Sequence, residues 1–153
     1  MFCKCSRYIY KIMMHITGIP SKEIDEVWHV CEQYIVLAAE KGRQEMTVED
    51  IYKFCKEAKM QLWVIFDKDN NIHAAVTTEI INYPAKKVCR IVTLGGKDLD
   101  EWINYIDEIE NWAIYNNCKA METFCRKGFI KKLENFGYEQ TYSVVGKELS
   151  RKH

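Results

Sequence analysis

The sequence predicts a single mixed α/β (α+β) domain in which a mostly antiparallel central sheet is flanked by helices. Three observations lead to that fold class. Apolar residues recur with helical spacing in two early segments, at Ile24, Val27, Trp28, Cys31, Ile35 and Ala38, then at Ile51, Phe54 and Ala58. Three runs rich in β-branched and aromatic residues lie between Gln61 and Leu94, separated by turn clusters. A strand, helix, strand passage from Lys87 to Cys125 is long enough for a parallel crossover. The expected order is β-α-α-β-β-β-α-β-α-β.

Each element has a local cause. Ile19-Pro20-Ser21 reads as the end of an extended segment and a helix cap, with Glu23, Asp25 and Glu26 complementing the helix start and Gly42 stopping the helix. Thr47 followed by Asp50 forms a shortened capping box for the second helix. Gln61–Phe66 and Ile72 to about Tyr83 flank the cluster Asp67-Lys68-Asp69-Asn70-Asn71 and make a hairpin. Pro84 ends its second strand, Lys87–Leu94 forms a third, and Gly95-Gly96 closes it. A long helix from Asp98 or Asp100 buries Trp102, Ile106, Ile109 and Ala113, until Asn116-Asn117 breaks it. Ala120–Cys125 is the next strand, a short helix carries Phe129, Leu133 and Phe136, and Gly137-Tyr138 turns into a last extended run to about Leu149.

Composition limits the function classes. With 153 residues, 48% of them hydrophobic, the chain has enough material for one core and hardly for two. Lys plus Arg and Asp plus Glu both total 22, which argues against a polybasic nucleic-acid module and against an acidic tail. The balance is uneven along the chain: residues 1–22, 23–60, 61–97, 98–122 and 123–153 carry net charges of +4, −4, +2, −6 and +4. Seven cysteines, without a CxxC pair, suggest reduced thiols in a cytoplasmic protein and no metal site. No stretch approaches the ~20 apolar residues of a membrane span, so no membrane association is expected.

The Gly pair after the third hairpin strand and the "GY" turn after the short last helix, in this element order, resemble the GNAT superfamily of N-acetyltransferases over residues 15–149. The chain is most similar to small GNAT-like proteins of tailed bacteriophages in Trp28, Thr77-Thr78, Tyr83-Pro84, the passage Glu122, Arg126, Gly128, Phe129, and the closing Lys147-Glu148-Leu149. In that group the chain usually begins near the first strand. The resemblance therefore divides the sequence into an extension, residues 1–14, with Met13 or Met14 as an expected start, and a domain, residues 15–153.

The resemblance implies acetyl-CoA as coenzyme and an amine as acceptor, with the pyrophosphate held by unpaired amides at a strand end and helix start. The matching positions are Val92, Thr93, Leu94, Gly95, Gly96 and Lys97. The sequence departs from the family's Q/R-x-x-G-x-G/A pattern, because its glycines are adjacent and Asp98, Asp100 and Glu101 follow at once. Like charges ~5 Å apart repel by ~3 kcal/mol at an effective dielectric of 20, so these acids work against bound phosphate. Lys97 and, farther off, Lys86, Lys87, Arg126 and Lys127 offset part of this.

The family's general-acid tyrosine falls at Leu133, which leaves Tyr138 or Tyr142 to protonate a leaving thiolate. As general base, alternation places His73 and Glu79 on one strand face, and Glu122 sits in the strand beside the expected cleft. The candidate catalytic residues are thus Glu79, Glu122 and Tyr138, with an oxyanion-stabilising amide near Thr93. Simpler roles stand beside these: a surface position for Glu79, and pairing with Arg90 or Arg126 for Glu122. Cys125, beside Arg126 and Lys127, has neighbours that favour a thiolate. Two functions remain open, an acetyl-CoA-dependent N-acyltransferase and a GNAT-fold phage protein without coenzyme chemistry that acts through a protein partner.

Overall fold

The computed structural model describes residues 13–40 and 45–151. Five strands form one sheet in the order β1-β2-β3-β4-β5. They are β1 (Met14–Ile19), β2 (Gln61–Asp67), β3 (Ile72–Asn82), β4 (Lys87–Gly96) and β5 (Ala120–Thr123). The first four are antiparallel neighbours, and β5 runs parallel to β4, as the crossover passage requires. Met14, assigned by sequence to the extension, is the first residue of β1 and is buried.

Two helices cover one face of the sheet. A 3-10 turn, Ser21–Glu23, with Pro20 as its cap, leads into α1 (Ile24–Glu40), so Ser21 does not cap the helix as expected. The stop expected at Gly42 lies outside the described residues. For α2 (Val48–Lys56) the shortened capping box is present: the Asp50 amide donates to Thr47 Oγ1 at 3.1 Å, and the Thr47 amide donates to Asp50 Oδ2 at 2.9 Å. Ala58, expected on this helix, lies beyond its end with φ 57°, in the left-handed region. The two helices join where Asp25 accepts from Tyr52 and Lys56 and where Trp28 meets the Tyr52 ring. Their buried residues, Ile24, Cys31, Tyr34, Ile35, Ile51 and Cys55, pack on Leu62, Val64 and Ala75.

The other face is covered by the crossover helix and the last helix. The expected long helix is interrupted: α3 (Leu99–Trp102) and a 3-10 turn (Ile103–Tyr105) precede α4 (Ile106–Tyr115). Its four predicted core positions, Trp102, Ile106, Ile109 and Ala113, are all buried. With Leu133 of α5 (Lys127–Glu134) they pack on Trp63, Ile65, Val76, Cys89 and Ile91. The sheet therefore separates two cores.

The last expected element is not formed. Residues 138–151 carry no helix or strand, and Tyr142, Val144, Val145 and Leu149 are exposed, so the order ends at α5. β-propensity alone does not make a strand, because a strand needs a paired edge and a face to bury. Among the described residues, no helix is long and apolar enough to cross a membrane.

Candidate active site

The site begins where β4 and β5 part. Their pairing runs from Val88 opposite Ala120 to Ile91 opposite Thr123, where Thr123 Oγ1 donates to the Ile91 carbonyl at 3.0 Å. β5 ends there, and β4 continues through Val92–Gly96 with β3 as its strand neighbour on one side and no strand on the other, a gap in the sheet's pairing.

A β-bulge shapes this stretch. Thr78 faces Ile91 and Thr77 faces Thr93, so Val92 is the extra residue. Buried hydroxyls hold the bulge: Thr77 and Thr93 Oγ1 are 2.6 Å apart, and the Thr93 amide donates to Thr77 Oγ1 at 3.2 Å. The amide at Thr93 is thus already committed to β3. Strand amides alternate in direction, and the Lys97 amide also points back, donating to the His73 carbonyl at 3.0 Å. The amides of Leu94 and Gly96 consequently face the gap. Sequence reasoning placed the oxyanion donor near Thr93, but only the bulge decides which amide turns outward.

The adjacent glycines have packing causes. A Cβ on Gly95 would come closer than 3.0 Å to the Tyr34 carbonyl of α1, and one on Gly96 would meet the His73 carbonyl at 2.6 Å. Both are strand residues, opposite Ala75 and Ala74. The turn that follows is short: Asp98 has φ 52°, and Trp102 Nε1 donates to the Lys97 carbonyl at 2.6 Å. Asp100 meets Lys132 at 3.3 Å on the surface.

One row before the strands part, Glu79, Arg90 and Glu122 lie side by side across β3, β4 and β5. Arg90 Nε donates to Glu122 at 2.8 Å, its Nη2 lies 2.7 Å from the same carboxylate, and Nη1 reaches Glu79 at 3.3 Å. Tyr83 Oη donates to Glu122 at 3.0 Å, and the guanidinium lies over the Phe124 ring at 4.8 Å. Burial opposes the Arg90 charge, but Glu122, Tyr83 and Glu79 outweigh it and hold the group more firmly protonated than usual. The structure thus brings Glu79 and Glu122 together around a cation. Of its partners, sequence reasoning weighed only Arg90, as one of two; Tyr83 and Phe124 were missed as site residues. Pairing the strands outward from the hairpin turn would have aligned Glu79 with Arg90.

Tyr138 is elsewhere. Ile80, Cys89 and Met121 pack in the α4 core, so the alternate residues Glu79, Arg90 and Glu122 point to the other face. Tyr138 packs on the α4 side and donates to Glu110 at 3.0 Å. Burial, then the neighbouring Glu110 carboxylate, pushes its phenol well above the usual range. His73 lies about 20 Å along β3 from Glu79, six residues at the usual strand rise, and pairs with Asp67 instead.

Four of the described thiols are held toward the neutral form. Burial pushes Cys31 and Cys89 up to about 12 and Cys55 up to about 11. Cys125 is exposed, yet local desolvation moves it upward as well, so Arg126 and Lys127 do not produce the thiolate character expected from their proximity.

Solved acetyltransferase structures match the overall fold, a five-strand, mostly antiparallel sheet flanked by helices. The chain has the GNAT acetyltransferase fold. It is similar to an aminoglycoside acetyltransferase from an uncultured soil metagenomic sample in complex with sisomicin, with 11% identity and a TM-score of 0.65 over 90% of this chain and 97% of that one. Glucosamine-6-phosphate N-acetyltransferase from Arabidopsis thaliana matches with 11% identity and a TM-score of 0.63, over 90% and 99%. A predicted acetyltransferase with acetyl-CoA from Clostridium acetobutylicum matches with 13% identity and a TM-score of 0.64, over 89% and 96%. No protein-family model and no curated protein sequence matches the chain.

Proposed function

We propose that the chain is a cytoplasmic acyl-CoA-dependent N-acyltransferase of the GNAT superfamily, and that it acts on an amine acceptor. The observation that carries this reading is the gap beyond Ile91 and Thr123 with the Leu94 and Gly96 amides turned into it. Two outward amides at the end of an otherwise paired strand are preorganised donors for a carbonyl oxygen and a phosphate. The acyl group is what acetyl-CoA would supply. Val92, Thr93, Leu94, Gly95, Gly96 and Lys97 form the coenzyme segment. Within it Leu94 serves the acyl oxygen, Gly96 and Lys97 serve the phosphates, and the glycines keep α1 close.

Glu122, next to the last paired residue of β5, lies nearer the opening than Glu79 and is assigned as the base, acting on the amine through water. Arg90 keeps both carboxylates oriented. Protonation of the leaving thiolate is assigned to water, since the Tyr138 hydroxyl is engaged as a donor to Glu110 on the other face. The likeness to small phage proteins forms part of this reading.

The alternative, a phage protein that acts through protein contact, is supported by the unpaired segment 138–151 and its exposed Tyr142, Val144, Val145 and Leu149. Calorimetry with acetyl-CoA at moderate salt separates the two readings. Saturable heat supports the enzyme, and no heat at high micromolar coenzyme overturns it. If binding is present, Asp98→Asn with Asp100→Asn tightens it by removing repulsion; weaker binding would show that the phosphates lie elsewhere.

A further inference from the structure

A second cavity, of about 520 Å³, lies between α1 and the β2–β3 turn, away from the row of Glu79, Arg90 and Glu122. It is lined by Val30, Gln33 and Tyr34 on one side, by Asp67, Asn70, Asn71 and His73 on the other, and by Lys97 at its end. Two features make it more than a crevice. His73 is itself an extra residue: Ile65 faces Ala74 and Phe66 faces Ile72, so a bulge in β3 re-aims the imidazole toward Asp67. The Asp67 carboxylate is saturated by local donors, namely the Asp69 and Asn71 amides, the Asn71 side chain and His73 Nε2. Its charge is therefore spent within the turn. The Lys97 ammonium, by contrast, makes no ion pair among the described residues, while its main chain is fixed to the His73 carbonyl.

We propose that this cavity binds a phosphoryl group, held by Lys97 and His73 with the Gln33 and Asn70 carboxamides as further donors. Lysine is a point-charge phosphate ligand; with His73 Nε2–H donating to Asp67, Nδ1 donates to a phosphoryl oxygen as the imidazolium, or accepts from a P–OH as the neutral ring. The group arrives on a free phosphate ester or on the nucleotide end of a coenzyme. The proposal shares Lys97 with the coenzyme segment of the proposed function, but its other ligands belong to α1 and the β2–β3 turn.

The test is an amide NMR titration of the full chain, at low salt, with inorganic phosphate and separately with 3′,5′-ADP. The expected result is saturable shifts at Gln33, Asn70, Asn71 and His73 in at least one arm, with affinity reduced about tenfold in Lys97→Gln, as for a lost charge-assisted contact. Saturation with inorganic phosphate identifies a free-phosphate site, and saturation with 3′,5′-ADP alone identifies the nucleotide end as the source. Absence of saturation in both arms, shifts confined to Leu94–Leu99, or an unchanged affinity in Lys97→Gln overturns the proposal. Lys97 is exposed, so its variant folds; acetyl-CoA calorimetry on the unsubstituted chain reads the enzymatic hypothesis separately.

Discussion

Gly95 of β4 lies directly beneath the main-chain carbonyl of Tyr34 in α1, closer than any side chain allows. Substitution by alanine forces the helix off the sheet or bends the strand. Gly95→Ala is expected to cost about 1–3 kcal/mol, the usual range for overpacking. Gly128 in α5 has open space around its Cβ position, so Gly128→Ala is expected to stabilise by about 0.5–1 kcal/mol through helix propensity. Urea denaturation of the pair reads both signs; equal effects would refute the close approach.

The Asp67 carboxyl is held down to about 2, first by His73 and then by the Asn71 and Asp69 donors against the cost of burial. Its folded pKa is lower than the ~3.9 of an unfolded chain, so its stabilisation is complete above that value. It is lost as pH falls from about 4 through about 2. The urea midpoint should drop over this window, and Asp67→Asn should flatten the drop. An unchanged profile in the variant would count against the pairing.

Thr77→Val removes the hydroxyl that serves both the side chain and the amide of Thr93. Leaving those groups buried without a partner costs about 1–3 kcal/mol, and Thr77→Ser recovers most of it. The same variant should weaken any acetyl-CoA binding, because the bulge aims Leu94.

Arg90→Met leaves Glu79 and Glu122 facing one another across an empty place. Because all three side chains are about one-fifth exposed, solvent moderates the penalty to about 1–2 kcal/mol. Adding Glu79→Gln and Glu122→Gln should restore much of the loss. A triple variant no more stable than Arg90→Met would show that the guanidinium matters through its packing on Phe124 instead.

Leu94→Pro deletes an amide that faces away from the β3 ladder, a position at which a strand tolerates proline. The circular dichroism spectrum should persist while acetyl-CoA affinity falls about tenfold, the worth of one hydrogen bond to a polarised carbonyl. Leu94→Ala keeps the amide and should keep the affinity, at some cost in stability from the α4 core.

What the sequence revealed was whatever has a local cause. Thr47 and Asp50 are three residues apart and form their cap as expected. The spacing of Trp102, Ile106, Ile109 and Ala113 identified a buried stripe even though the helix is interrupted. Lys87–Cys125 showed its parallel crossover because β4 and β5 are joined by one helical passage. Partners distant in sequence were not visible. The Gly95-Gly96 pair resembled a phosphate loop, and its packing cause is the carbonyl of Tyr34, brought over by tertiary folding. Tyr138 stood in for the family position that Leu133 occupies, and its hydroxyl goes to Glu110, a residue no periodicity connects to it. Alternation put His73 and Glu79 on one strand face, but a shared face is not a shared site when six residues of β3 separate them.

Val92, the supernumerary residue of β4, sets the phase of everything after it. If the bulge were lost with every residue kept, Thr93 would turn to the α4 side, Leu94 toward α1, and Gly95 would leave its place under Tyr34. The amides that now look into the gap would be absorbed by β3. Such a slip would preserve sequence, composition and charge, yet invert the strand end that the coenzyme is proposed to meet. The chemistry proposed for this chain thus rests on the one residue that the Thr77 and Thr93 hydroxyls hold out of register as much as on the kinds of residue around it.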